Sequence, residues 1–494
     1  MQIKTEGHDE SYSVYTVLKS FFWFERITEK PSDDPDDRDI AVSREYEKGG
    51  VLRVDTEITY RGTVHTGRAE TSAADMPGDR LAYKRSEKDL IKKSAYKAAE
   101  SALGHGLKWG ILTGIRPAKI ARDLTKTVSY EDARALLMND YYLSDEKSRL
   151  ILDISKVQSR IIENISCKDI SLYISIPFCV SRCSYCSFVS HSIEKAGHLV
   201  PQYVSLLIRE LRELSGLVSS LSLNIKSIYI GGGTPTSLSE GELSRLLSCI
   251  NECFDLSSVS EYTLEAGRAD TITPKKLTDA KRLGVTRVSV NPQTTNDEIL
   301  MRLGRRHTRE DFFRAFALAR DAGFDIINTD VIAGLPGESL DSFRRTIDDI
   351  MTLSPENVTV HTLSVKRAST LNYDRVDMTR EFDLVSGMLD YSSRILSGAG
   401  YAPYYLYRQK STLGNLENVG YARPGTECLY NVYMMEEVMP VLGAGAGAVC
   451  KLLCGGGKIE RIFNYKYPYE YINDPSKAAG NHDKLKEMFS AILR

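Results

Sequence analysis

The sequence predicts an α/β protein centred on a parallel sheet of six strands, with an α+β segment before it and a mixed segment after it. Three observations carry this. Short β-rich runs alternate with longer helical patterns six times between about 166 and 370. Strand, helix and strand repeated in this way call for a parallel sheet with right-handed crossovers. Several of the strands are nearly continuous apolar runs, as expected where both sheet faces are covered. Periodicity leaves two arrangements open, an open sheet and a partial barrel.

The strands, in order, are SLYISI at 171–176, IKSIYI at 225–230, EYTLEA at 261–266, RVSVN at 287–291, DIINTDVI at 325–332 and NVTVHTLSV at 357–365. Amphipathic stretches such as YVSLLIRELRELSGL, EGELSRLLSCINECF and REDFFRAFALARDAG lie between them. A first domain is expected over 1–165. It holds the aromatic-rich SVYTVLKSFFWF, the acidic and solvated PSDDPDDRD, and VLRVDTEITYRGTVHTG, which alternates as half-buried strands do. SEKDLIKKSAYKAAESALG then reads as a helix with a glycine stop. Residues 371–494 form a mixed extension with the Tyr-rich YAPYYLYRQK, the Gly-rich VLGAGAGAVCKLLCGGGK and a polar C-terminal helix.

Composition narrows the partners. With 494 residues, 42% hydrophobic and 26% charged, the chain has apolar mass for two or three domains. Lys+Arg is 64 and Asp+Glu is 66, a net charge of -2, so no global basic surface suggests nucleic acid or an anionic membrane. The start MQIKTEGHDESYSVY does not resemble a secretory signal, and no run is long and apolar enough to span a bilayer. A cytoplasmic location is expected, with the nine cysteines reduced and close spacings pointing to metal or catalysis.

The polar signals fall at the C-terminal ends of the strands, where a βα barrel places its site. Strand one runs into PFCVSRCSYCSF, with Cys179, Cys183 and Cys186 in one polar loop. Strand two ends in Gly231, Gly232, Gly233, Thr234 and Pro235; strand three carries Glu265; Gln293 follows strand four; strand five carries Asp330 before AGLPG. Cys167, Cys249, Cys253 and Cys428 read as small buried hydrophobes. Cys450 and Cys454 read as packing, with a ligand role as the alternative. A structural zinc wants four ligands, and no second C-x-x-C half is near; an iron–sulfur cluster also normally takes four thiolates, so three would leave one iron open. GGGTPT lacks the lysine of a phosphate loop and reads either as a tight turn or as a close approach to a ligand. Glu265 and Asp330 read either as structural ion-pair members or as groups that grip a ligand's ammonium or hydroxyls.

C-x-x-x-C-x-x-C after the first strand and GGGTP after the second resemble the radical S-adenosylmethionine (SAM) enzymes. The run YISIPFCVSRCSYCSF, then GGGTPT, then GLPGE, resembles the oxygen-independent coproporphyrinogen III oxidase group. GILTGIRPAKI and NLENVGYARPGTECLYN look most like its HemZ-type coproporphyrinogen dehydrogenases. The resemblance implies a partial (β/α)6 TIM-like barrel over 166–370. It implies that Cys179, Cys183 and Cys186 hold a [4Fe–4S] cluster whose fourth iron binds SAM. Tyr173, Tyr185, Gly232, Gly233, Thr234 and Glu265 take SAM-contact positions; Gln293, Arg305 and Asp330 match polar positions of the same region, and Val449 a late apolar contact. No catalytic residue is assigned.

The chemistry so implied is an oxidoreductase reaction of porphyrin (heme) biosynthesis. One electron cleaves SAM to methionine and a 5′-deoxyadenosyl radical. That radical takes hydrogen from a propionate β-carbon, and loss of CO2 and one electron leaves a vinyl group. Two rounds convert coproporphyrinogen III to protoporphyrinogen IX. The implied partners are the porphyrinogen, an electron donor such as flavodoxin or ferredoxin, and an electron acceptor of unknown kind. Arg116, Arg305, Arg306 and Arg367 are candidates for the substrate carboxylates, each with a surface or ion-pair role as the alternative; His191, His307 and His361 lie near the predicted rim. Ser187 and Phe188 follow Cys186 where the oxidases usually place another cysteine, a pattern shared with haem chaperones. The alternative is therefore a radical SAM-type haem chaperone that binds and passes on haem without decarboxylation.

Overall fold

The structure, a computed structural model, describes residues 1–23, 25–29, 39–114, 116–188, 190–364, 378–409, 416–454 and 458–492. It divides into two units, Met1–Ser155 with Arg408–Leu416, and Lys156–Tyr407 with Glu417–Arg494. The acidic PSDDPDDRD stretch, apart from its last residue, and Arg367 lie outside the described residues.

The first unit is α+β. Its sheet runs in the order β1 (Gln2–Glu6), β2 (Ile40–Lys48), β3 (Val51–Tyr60) and β4 (Thr63–Ser72). In β3, Leu52, Val54, Thr56, Ile58 and Tyr60 are buried in strict alternation, which gives the sheet one apolar face. That face packs against the helix Arg80–Leu103, whose Leu90, Ile91, Ala95, Ala98 and Ala99 join the same core. Asp79 caps the helix start by accepting from the Ala82 amide at 2.8 Å, and Gly104 ends it in a left-handed turn.

The second unit holds the barrel. Six parallel strands lie side by side: β5 (Asp169–Ile176), β6 (Asn224–Gly232), β7 (Glu261–Glu265), β8 (Arg287–Ser289), β9 (Ile326–Ala333) and β10 (Asn357–Thr362). Helices Val200–Ser220, Glu240–Cys253, Pro274–Arg282, Arg309–Asp321 and Leu340–Leu353 make the crossovers. The sheet is open and grows at both ends. Beyond β10 come β12 (Glu417–Ala422), antiparallel to it, and β11 (Ala402–Arg408). On the other side β13 (Val441–Ala444) runs parallel to β5, followed by antiparallel β14 (Val449–Cys454) and β15 (Lys458–Phe463).

The continuous apolar look of the strands has a simple cause. Alternate residues of β5, Ile170, Leu172, Ile174 and Ile176, are fully buried, each worth about 1.5–3 kcal/mol of transfer free energy. The intervening Ser171, Tyr173 and Ser175 form a second face that is polar and aromatic. There Ser171 bonds Ser227 at 2.7 Å, and the rings of Tyr173, Tyr229 and Tyr430 stack with centroids 4.6–6.3 Å apart. Towards the strand starts, Arg287 and Glu261 form a buried ion pair at 3.2 Å. Much of their remaining capacity goes to the C-terminal segment: Glu261 accepts from the Leu429 and Tyr430 amides, and Arg287 donates to the carbonyls of Thr426 and Glu427, with a further bond to Asn357 Oδ1 of β10 at 2.8 Å. Such satisfaction is what a buried ion pair requires, and it ties the segment after β12 to the barrel.

Candidate active site

The site begins where β5 and β6 end together, with Ser175 beside Gly231 and Ile176 beside Gly232. The Gly233 amide donates to the Ile176 carbonyl, and the Thr234 amide to the Phe178 carbonyl, both at 2.7 Å. A Cβ on Gly233 would stand 2.5 Å from the Phe178 carbonyl oxygen, and one on Gly231 2.8 Å from Glu265 Oε2. The glycines therefore serve both close packing and turn geometry: Gly232 adopts a positive φ of 111°. They let the end of β6 lie directly on the backbone that leads into the cysteine loop.

That loop is tied from several sides. The Thr234 hydroxyl lies 3.5 Å from Cys179 Sγ. Arg268 donates to the carbonyl and hydroxyl of Ser181 and lies 3.8 Å from Cys183 Sγ. Asp270 holds the same guanidinium with two bonds of 2.7 and 2.9 Å. The Ser184 amide donates to the Leu303 carbonyl at 3.0 Å. Burial pushes the Cys179 thiol up and drives Cys186 to about 11, so these two favour the thiol form and give thiolates to a bound cation.

Behind the loop sit the polar groups of the other strand ends. Arg305, expected at the rim, is instead buried. It donates to the Tyr185 hydroxyl at 2.9 Å and to the Gly267 and Asn291 carbonyls, while its Nε is buried with no partner among the described residues. The reason is that the chain after the short helix Asp297–Arg302 turns back onto the cysteine loop. Tyr229 donates to Glu265 at 3.2 Å. Burial, and then the nearby Asp330, raise Glu265 to about 8. Burial would also raise Asp330, but His361, Asn328 and Thr359 outweigh it and hold that carboxyl below its ordinary range. His361 bridges Asp330 at 3.7 Å and the Tyr407 hydroxyl at 3.0 Å. Gln293 takes a left-handed φ of 70° and pairs with Val331 beside Asp330. Val449 opens β14 opposite Phe463, and its backbone would meet a Cβ on Gly443 at 3.0 Å.

The remaining expected positions differ in burial and partners. Arg116 belongs to the first unit, and Arg306 is an exposed partner of Glu194 at 2.6 Å. His307 is buried, and burial, with Arg305 next, lowers it to about 4; His191 packs edge-on against Tyr467 and Tyr469. Cys249 and Cys428 are buried, but Cys167 is exposed and Cys253 only half-buried. Cys167 occupies the turn into β5, where backbone polar groups need water. Cys450 is buried, and its thiol faces the Gly443 carbonyl at 3.5 Å. Arg268 was not singled out by its sequence context; its signal was a lone arginine three residues beyond Glu265, at the end of the third strand.

The donor set fits a cluster. Three free thiols share one loop, beside a guanidinium that balances thiolate charge. Among the described residues no three His, Cys, Asp or Glu side chains are gathered as ligands of one ion; cluster thiolates bind different irons and need no such convergence. The unpartnered Arg305 Nε and the glycine-walled end of β6 leave polar capacity beside them.

A parallel partial barrel with this loop after its first strand defines the radical SAM class, and residues 173–350 match the Radical SAM superfamily. The oxygen-independent coproporphyrinogen-III oxidase-like protein HemZ of Bacillus subtilis is 37% identical over 95% of both chains. The heme chaperone HemW of Escherichia coli is 31% identical, covering 60% of this chain and 74% of its own. A solved structure of coproporphyrinogen III oxidase (HemN) from Escherichia coli shares the fold, with a TM-score of 0.50 and 22% identity over 65% of this chain and 72% of its own. The chain belongs to the oxygen-independent coproporphyrinogen-III oxidase-like family of radical SAM proteins. That superfamily uses a [4Fe–4S] cluster and SAM. Among the described residues no helix is long and apolar enough to cross a membrane.

Proposed function

We propose that this protein is a cytoplasmic oxygen-independent coproporphyrinogen III oxidase of the dehydrogenase type, which decarboxylates two propionates to vinyl groups in heme biosynthesis. The observation that carries the reading is the three-thiol loop closed directly onto the glycine end of β6, with Glu265 and Asp330 behind it. Cys179, Cys183 and Cys186 would hold the cluster, which supplies the electron for reductive cleavage of SAM when both are bound.

The chain's own residues would hold the reactants. Glu265 offers a carboxyl whose charge a ligand's cationic group would compensate. Tyr173, Tyr185, Gly232, Gly233 and Thr234 would shape the pocket, with Gln293, Arg305, Asp330 and Val449 completing its polar and apolar walls. Tyr229 would keep Glu265 oriented toward that cationic group. A low-potential donor such as flavodoxin or ferredoxin would supply the electron, and a separate acceptor would take the one released on decarboxylation.

The haem-chaperone reading is favoured by one observation: Ser187 and Phe188 follow Cys186, so the loop has no further cysteine. Anaerobic, reconstituted protein with coproporphyrinogen III, SAM and a reductant separates the two. The expected result is a product carrying vinyl groups and lacking two carboxylates. Stable haem binding with no decarboxylation would replace the oxidase reading by the chaperone one.

A further inference from the structure

We propose that Glu210 is a positioning residue of the cofactor site: it fixes the Gly445–Gly447 turn against the end of β5 and so sets the wall that carries Val449, an inference that rests on the SAM reading above. Glu210 lies in the helix Val200–Ser220, on the face where Val204, Leu207, Leu211 and Leu214 are buried. It is 4% exposed, so a carboxyl stands where that face calls for an apolar side chain. Burial raises it to about 7 although three donors reach it, a cost that a leucine would avoid. Its Oε2 accepts from the Gly445 amide at 2.8 Å and the Tyr471 hydroxyl at 2.6 Å, and its Oε1 from the Asn464 side-chain amide at 2.9 Å. All three donors come from the segment after β13.

The turn that Glu210 holds is wedged against the strand that feeds the cysteine loop. Gly445 adopts a φ of 90°, and a Cβ there would stand 2.5 Å from the Tyr203 hydroxyl and 2.7 Å from the Ser175 carbonyl oxygen. One residue on, Ala446 donates its amide to the Tyr203 hydroxyl at 2.9 Å and accepts from the Ser175 hydroxyl at 2.7 Å, while Tyr203 donates to the Ser175 carbonyl at 2.8 Å. Ser175 lies beside Gly231 where β5 ends. At the other end of the turn, the Asn464 backbone amide donates to the Ala448 carbonyl at 3.1 Å, and Val449 follows as the start of β14. One buried carboxyl therefore fixes the turn at its entry, through Gly445, and at its exit, through Asn464. Without it the turn can shift Val449 relative to Ser175 and the cysteine loop while the hydrophobic core stays filled, which loosens the site rather than the fold.

The test titrates SAM into the anaerobic, reconstituted full chain and follows the electron paramagnetic resonance of the reduced cluster. Glu210→Leu fills the same space without the acceptor, an exchange that buried charges often tolerate. Its thermal midpoint and iron per chain should match wild type, while its SAM affinity falls by about tenfold. Before any cofactor is loaded, hydrogen exchange over 441–449 should already be faster in this variant. Glu210→Gln keeps an oxygen for Gly445 and Tyr471 and should restore SAM affinity to within about threefold of wild type. Tyr471→Phe keeps the ring and removes one donor, and should weaken SAM by about threefold; it carries the test should the leucine variant not fold. Unchanged SAM affinity in the leucine variant, or in Tyr471→Phe where that variant stands in for it, overturns the proposal and makes Glu210 a purely structural residue. A wild-type cluster signal that SAM does not alter overturns the SAM reading and this proposal with it.

Discussion

The guanidinium of Arg268 lies 3.8 Å from the thiol of Cys183 while two of its nitrogens clasp Asp270. The arginine side chain is 4% exposed and the aspartate 17%, so the pair sits in a medium where charge is expensive to leave alone. Arg268→Met should lower stability by about 3 kcal/mol by stranding Asp270, and should reduce the iron held per chain after reconstitution. Arg268→Met with Asp270→Asn should recover the thermal midpoint but not the iron. Recovery of both would make Arg268 a purely structural residue.

Gly233 gives a sharper geometric test. A Cβ there meets the N, C and O of Phe178 within 2.9 Å, all backbone atoms that have no freedom to swing away. Gly233→Ala should therefore cost about 1–3 kcal/mol and displace the cysteine loop. Gly241→Ala is the matched control. Nothing lies within 4 Å of its Cβ, and it sits in the helix Glu240–Cys253, where alanine is favoured by up to about 1 kcal/mol. Thermal midpoints should fall for the first and hold or rise for the second.

Much of this arrangement was legible in the sequence because it is local. The six barrel strands follow from alternation and apolar run length, and the ends of β5, β6, β7 and β9 place their polar residues by register alone. What alternation does not carry is the partner of a side chain distant in sequence. Arg305 reads from the sequence as a candidate for the substrate carboxylates and as a polar position of the cofactor region; only the folded chain turns it inward to Tyr185, 120 residues earlier. His361 read as a lone histidine, yet β11 brings Tyr407 to one ring nitrogen and β9 brings Asp330 to the other. Cys167 read as core because cysteine usually is, but a turn residue obeys the solvation of its backbone first.

Cys183 is the most buried of the three loop thiols and so the clearest mutational probe. Cys183→Ala removes one small group and should cost at most about 1.5 kcal/mol of folding stability. The far-ultraviolet circular dichroism should match wild type. Visible absorbance after anaerobic reconstitution should disappear, because two thiolates, with two irons left open, do not retain a four-iron cluster. Undiminished absorbance in this variant would mean that other cysteines hold the metal.

Glu265 predicts a pH dependence whose sign is fixed. Its carboxyl is raised from 4.5 to about 8 by burial and Asp330, so folding favours the protonated form. The associated stability is fully present below about pH 4.5 and is lost as pH rises through about 8 in the ligand-free protein. A cationic ligand reverses the preference, since it binds the ionised carboxylate. SAM affinity should therefore increase with pH, by up to tenfold per unit below about 8, and level off above it. Below that plateau, binding should release close to one proton. Calorimetry in two buffers of different ionisation enthalpy counts that proton directly. Glu265→Gln should bind more weakly above pH 8, with neither the slope nor the proton. A wild-type affinity that is flat between pH 6 and 8 would remove Glu265 from the binding step.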